Sequence, residues 1–367
     1  MAKKYYRLDN ILKLKASYNM VIGERSNGKT YASLEHGLIK YFEDGSQIGY
    51  IRRWGEDIKG ITGGSIFNGL VANGVISKLS KGEWTGVYHY AGRYFLAKES
   101  KSGKRIVANE PFAYSFALNQ MEHYKSGSYP LIRTIIFDEF LARDGVGLGD
   151  NEFVLLMNML STIIRDPSRT DVEVFLLANT VNFDSIYFKE FGINNIRLMK
   201  QGTIDFYTYG NSNTTLAVEY CETLSDAKSQ INDRYFAFDN PRLKMITEGA
   251  WEMDVWPHCP CKYLPKDVLF SFFIKYNEDL LQADTVQHED MLFLYIHRKT
   301  TPIKDESYDL IYTNEISPRP NKRLNITRGT DGITKKIKWF FANNRVFYQD
   351  NIVGEIVNNY LNWCASI

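Results

Sequence analysis

The segment Gly23-Glu24-Arg25-Ser26-Asn27-Gly28-Lys29-Thr30 fits the pattern G-x-x-x-x-G-K-[ST]. That spacing suits the phosphates of a nucleoside triphosphate such as ATP. Gly23 and Gly28 let the backbone curl so that successive N–H groups, through Glu24, Arg25, Ser26 and Asn27, point at one anion. Lys29 reaches the β- and γ-phosphates, and Thr30 offers a hydroxyl to Mg²⁺. Arg25, inside the loop, can touch nucleotide or a neighbouring subunit. A second constellation, Ile135-Ile136-Phe137-Asp138-Glu139, ends an apolar run in two carboxylates. Adjacent carboxylates are costly to desolvate unless a cation shares them. Asp138 is therefore expected to hold Mg²⁺ and Glu139 to polarise a water for attack on the γ-phosphate. Asn179, after another apolar run, suits a γ-phosphate sensor as well as a simple turn. Arg165 and Arg169 flank Asp166-Pro167-Ser168. An arginine there can enter a neighbour's site in a ring and stabilise transition-state charge; a helix C-terminal cation is the plainer reading.

These groups need a scaffold that brings strand ends together. Tyr18 to Ile22 reads as a strand. Tyr31, Leu34, Leu38 and Tyr41 recur at helical spacing, and Ile48 to Ile51 starts another strand. This βαβ pattern implies α/β architecture with a mainly parallel sheet. Leu131 to Phe137 and Val172 to Ala178 are further buried strands, with a helix over roughly 153–165 between them. Residues 84–116 read as aromatic-rich hairpins, an antiparallel insertion at the sheet edge. The pattern fades after about residue 205. Residues 206–250, with a strand-like Ile204 to Tyr209 and a helical Leu224 to Tyr235, read as a linker or lid. Residues 251–367 read as mostly β, with strong strands at 268–276 and 291–298 and a closing amphipathic helix from about Asp350 to Trp363. The expected organisation is thus 1–205, 206–250 and 251–367.

The first 205 residues resemble the genome-packaging ATPases, or encapsidation proteins, of small protein-primed podoviruses. The resemblance rests on Val21 to Tyr31, Tyr50-Ile51-Arg52-Arg53, Tyr124-Lys125-Ser126 to Tyr129-Pro130, Ile135 to Phe140, and Leu177-Ala178-Asn179. It implies a P-loop NTPase of the additional-strand, catalytic-glutamate (RecA/FtsK-like) class, with ATP and Mg²⁺. It implies a homo-oligomeric ring, usually a pentamer, that docks on the portal of an empty capsid and pumps double-stranded DNA inward. A structural packaging RNA belongs to the same implied partner set. The implied location is the host cytoplasm, on the procapsid but not in the mature virion. By resemblance Lys29 and Thr30 bind phosphate and Mg²⁺, Asp138 holds Mg²⁺, Glu139 activates water, and Arg165 or Arg169 is the trans-acting finger. Trp54-Gly55-Glu56 stands where some relatives carry a further basic residue, so no lysine role transfers there.

The C-terminal region resembles the family less. The implied domain is small, α+β and RNase-H-like. A working nuclease of that kind needs convergent carboxylates for two metals. Asp284, His288, Glu289 and Asp290 are available, but no two-metal set is evident, so a nuclease-inactive, nucleic-acid-binding domain is expected. Its basic stretch includes Lys322, Arg323, Arg328, Lys335, Lys336 and Lys338, with Trp339-Phe340-Phe341 interleaved and only Asp331 opposing within the stretch. Arg143 opens a Gly-bearing loop that in a ring can project into the pore.

Composition narrows the remaining options. The chain has 367 residues, 44% hydrophobic and 24% charged, with net charge +1. Disorder and a globally basic coat are excluded, and no run approaches the roughly 18 apolar residues of a membrane span. The basic N-terminus has no apolar run behind it, so no secretory signal is expected. Four scattered cysteines suggest a reducing compartment, and Cys259-Pro260-Cys261 lacks the usual zinc spacing. A helicase-like ATPase, a nucleotide switch without turnover, and a terminase with an active C-terminal nuclease are the competing functions.

Overall fold

A computed structural model describes residues 5–142, 147–149, 151–166, 169–180, 185–210, 213–222 and 255–366. The chain divides into two compact units, Met1–Glu252 and Met253–Ile367. The first holds β1 (Tyr18–Gly23), β2 (Gln47–Arg52), β3 (Gly86–Tyr90), β4 (Arg93–Glu99), β5 (Arg105–Val107), β6 (Ala113–Ala117), β7 (Ile132–Asp138), β8 (Glu173–Asn179), β9 (Thr203–Thr208) and β10 (Thr215–Tyr220). They form one sheet in the order β3-β4-β6-β2-β7-β8-β1-β10-β9, with β5 on β4. The run from β6 to β10 is parallel throughout. β8 lies between the phosphate-loop strand β1 and the acidic strand β7, which is the additional strand that the expected class requires.

The parallel strands are covered on both faces, which explains their continuous apolar runs. Alternate residues feed two cores. Met20, Ile22, Ile135, Phe137 and Leu176 pack with Leu156, Met159, Leu160 and Ile163 of the helix Glu152–Ile164. Val21, Ile136, Phe175 and Leu177 pack with Leu34 and Leu38 of the helix Lys29–Asp44. That helix is bracketed by Gly28 at φ +100° and Gly45 at φ +80°, left-handed positions that favour glycine at both ends.

Two expectations need correction. The boundary at residue 205 cuts a hairpin: β9 and β10 are antiparallel neighbours, and β10 lies beside β1. Leu216, Ala217 and Val218 are buried in the first unit's cores, so the segment through Tyr220 is sheet, not lid. The expected helix from Leu224 to Tyr235 falls outside the described residues. In the aromatic-rich region, β3, β4 and β5 are an antiparallel extension as expected, but β6 runs parallel to β2 and belongs to the main sheet.

The second unit holds β11 (Val268–Tyr276), β12 (Asp279–His288), β13 (Met291–Arg298), β14 (Ile311–Thr313), β15 (Lys322–Arg323) and β16 (Val346–Tyr348), ordered β15-β14-β11-β12-β13-β16. The first three are antiparallel; β14 is parallel to β11 and β15 to β14. Without the added β16 this is the strand order of an RNase-H-like sheet. The helices Gly332–Ala342 and Asn351–Ser366 cover one face through Ile337, Phe340, Val353, Val357 and Tyr360.

Candidate nucleotide site

The ends of β1, β7 and β8 converge on a cleft of about 390 Å³ lined by Arg25 to Tyr31, Asp138, Glu139, Ala178 and Asn179. Gly23 must be glycine here, since a Cβ would lie 2.8 Å from the Cβ of Cys221. Lys29 is buried, and its Nζ donates to the carbonyls of Gly23 (3.2 Å) and Glu24 (2.7 Å) and to Oδ1 of Asn27 (3.2 Å) and Asn179 (3.4 Å). Burial lowers the Lys29 pKa, against the nearby thiol of Cys221 and the carboxylates of Asp138 and Glu24. A group so placed gains most from an anionic ligand that restores a charge partner.

The Thr30 hydroxyl donates to both Asp138 oxygens at 3.1 and 3.2 Å, and Tyr50 donates to Oδ2 at 2.8 Å. Burial pushes the Asp138 carboxyl above its ordinary range, while Arg52 and the Tyr50 and Thr30 hydroxyls pull it down. A hydroxyl and a carboxylate in contact beside a phosphate loop form a hard oxygen donor set that fits Mg²⁺. Glu139 is different: its side chain is 56% exposed and its backbone sits at φ +58°. A non-glycine residue there costs about 1–2 kcal/mol. Arg52 joins the acids, with Nη2 at 2.7 Å from Glu139 and Nη1 at 3.5 Å from Asp138. A second cleft of about 320 Å³ shares Arg25, Asp138, Glu139 and Asn179 and continues to Arg52, Arg53, Trp54 and Asp57.

The structure separates the two candidate fingers. Arg169 turns its guanidinium inward to the carbonyls of Tyr129, Ile163, Ile164 and Ile132. Arg165 follows the helix Glu152–Ile164 at φ +46°, and its one described hydrogen bond from the side chain goes to the exposed Lys125 carbonyl at 2.6 Å.

Among the expected nucleic-acid contacts, Arg143 falls outside the described residues. Lys322 pairs with Glu306 and Arg323 with Asp331, so the stretch is less unopposed than its sequence suggests. Lys338 donates to the Thr327 carbonyl. Arg328, Lys335 and Lys336 are exposed and, among the described residues, in no ion pair. Asp284, His288, Glu289 and Asp290 do not converge. Asp284 is buried in mid-strand and pairs with His297, whereas His288 pairs with Asp267. No cluster of three or more His, Cys, Asp or Glu suited to a metal occurs among the described residues.

Sequence reasoning gave no role to Tyr50, Arg52 or Arg53. Tyr50 and Arg52 are two apart on β2, hence on one face, and β2 pairs directly with β7. The visible signal was the Arg-Arg pair at the end of a predicted strand.

The family model for the podovirus DNA encapsidation protein (Gp16) matches residues 1–200. The DNA packaging protein of Bacillus phage B103 is 31% identical over 176 residues, 48% of each chain. The match thus spans about half the length of that curated relative. In structure, the bacteriophage Phi-29 viral genome packaging motor assembly contains a similar chain, with TM-score 0.58, 19% identity, and coverage of 97% of this chain and 98% of that one. The Phi-28 gp11 DNA packaging motor gives TM-score 0.52 at 18% identity, covering 99% and 97%. The chain belongs to the podovirus DNA encapsidation protein family.

Proposed function

We propose that this member of the podovirus encapsidation family is an ATPase that drives double-stranded DNA through a capsid portal. The observation that carries the reading is the convergence of Lys29, Thr30, Asp138 and Glu139 on one cleft. The loop N–H groups and Lys29 bind the triphosphate. Thr30 and Asp138 would hold Mg²⁺, which neutralises charge on the β- and γ-phosphates when bound. Glu139 takes a proton from the attacking water as its oxygen bonds to the γ-phosphorus; the β–γ bridging bond breaks and ADP leaves with that electron pair. Asn179, touching Lys29, is placed to respond to the γ-phosphate.

In this reading Arg165 acts in trans within a homo-oligomeric ring, since Arg169 is held by its own carbonyls. Arg328, Lys335 and Lys336 supply sequence-independent phosphate contacts. The portal, a packaging RNA and a host-cytoplasmic procapsid complete the proposed setting. The test is ATP hydrolysis with and without double-stranded DNA, for wild type and Glu139→Gln. DNA-stimulated turnover abolished by the substitution supports a motor; turnover indifferent to DNA, with or without portal, removes the translocase reading.

A further inference from the structure

We infer that Arg53 is a positioning residue that sets the main chain of Glu139 through a buried pair with Glu152. Two consecutive arginines leave the end of β2 and divide the glutamate between them. Arg52 meets the Glu139 side chain. Arg53 meets its main chain: Nη1 donates to the Glu139 carbonyl at 3.0 Å and Nη2 to the Phe140 carbonyl at 2.6 Å. The rest of the guanidinium grips Glu152, with Nε at 2.9 Å and Nη2 at 2.8 Å from Oε1. Arg53 is 6% exposed and Glu152 3%. Tyr187 donates to Glu152 Oε1 at 2.8 Å, and the Leu148 N–H to Oε2 at 2.7 Å.

Such a network is more than the fold needs for stability. A buried ion pair is often replaceable by apolar residues at no loss, so its presence asks for another purpose. The purpose lies at Glu139, whose φ of +58° is a conformation that relaxes unless its surroundings hold it. The turn is fixed on its other side by the Phe140 N–H, which donates to the Leu177 carbonyl of β8 at 3.1 Å. The planar fork spreads its donors at fixed angles, so that Nη1 and Nη2 take the two successive carbonyls while Nε and Nη2 hold the carboxylate; the single nitrogen of an ammonium has no such spread. The inference rests on the ATPase reading for its kinetic consequence, but not for the pinning itself.

The experiment compares wild type, Arg53→Lys, Glu139→Gln and the double variant. Measurements are single-turnover phosphate release, affinity for a fluorescent ATP analogue, melting temperature, and hydrogen exchange over residues 137–142. With Arg53→Lys, turnover falls about 100-fold, the effect of a misplaced catalytic group, while nucleotide affinity stays within twofold. Exchange at the Phe140 N–H rises at least tenfold, with β1 and β8 unchanged. In the Glu139→Gln background the same change adds no further loss, because it acts through that carboxylate. Multiplicative losses in the double variant, or unchanged exchange at Phe140, overturn the inference. Tyr187→Phe removes one hydroxyl and keeps both charges. Its expected few-fold loss of turnover, with faster Phe140 exchange, decides the matter if Arg53→Lys does not fold. Wild type without hydrolysis sinks the ATPase reading, and exchange at Phe140 then still tests the pinning.

Discussion

Asp138 in the first unit and Asp284 in the second are both buried aspartates, 8% and 5% exposed, yet their surroundings treat the charge in opposite ways. Asp138 ends a strand and faces a cleft, and burial leaves its carboxyl raised despite Arg52, Tyr50 and Thr30. Asp284 sits in mid-strand and accepts from Ser271 at 2.7 Å, Gln282 at 2.9 Å, and Tyr263 and His297 at 3.2 Å. Burial alone would raise it, but those bonds, led by His297, bring it down to about 2. A carboxylate satisfied by its own fold is structural. One whose partners at a strand end do not offset its burial is poised for a ligand.

The strongest challenge to that contrast is chemical. Glu139→Gln, beside Asp138, is expected to cut ATP turnover about 10²–10⁴-fold; Asp284→Asn leaves turnover at the wild-type rate. Equal losses would erase the distinction. Arg165→Ala is expected to lower turnover of the assembled protein about 10³-fold without changing the melting temperature. Arg169→Ala strips a donor from buried carbonyls and lowers the melting temperature instead. The reverse pattern would exchange their roles.

Stability sharpens the contrast next. Asp284→Asn should cost about 1–3 kcal/mol, since buried partners lose a charged acceptor. Asp138→Asn should cost nothing or raise stability, because a folded-state pKa above the unfolded value means that folding penalises the charged form. Denaturant unfolding of both variants decides it. pH follows with smaller effects. The contribution of Asp284 is present above about pH 3.9 and is lost as pH falls toward 2. His297 is raised chiefly by its hydrogen bond to Asp284, so its contribution is present below about pH 6.5 and is lost as pH rises through its folded value. Asp284→Asn should flatten both limbs of the stability profile. Smallest is the surface term: Lys335→Ala with Lys336→Ala should reduce the salt slope of duplex DNA binding by about 2.

The phosphate loop and the Asp138-Glu139 pair were legible because their chemistry is local: spacing within a few residues fixes it. Tyr50, Arg52 and Arg53 were not, because their roles depend on β2 lying beside β7, a pairing that no spacing announces. Arg165 and Arg169 are four apart and chemically identical; only the inward turn of one guanidinium tells them apart. The sheet boundary failed for the same reason. Residues 206–250 read as a linker or lid until β10 is seen to pair with β1.

That position of β1 bears on how the protein is made. Its neighbours are β8 and β10, with Tyr18 opposite both Val174 and Leu216. This strand, the earliest of the sheet in chain order, therefore waits for β8 before one edge is paired and for β10 before both are. At about 5–20 residues per second the delay is on the order of 10 to 40 s. Through that interval the apolar Met20-Val21-Ile22 edge is open to other nascent chains. A fragment ended at residue 205 would keep that edge open permanently, and is expected to aggregate where one ended after Tyr220 stays dispersed.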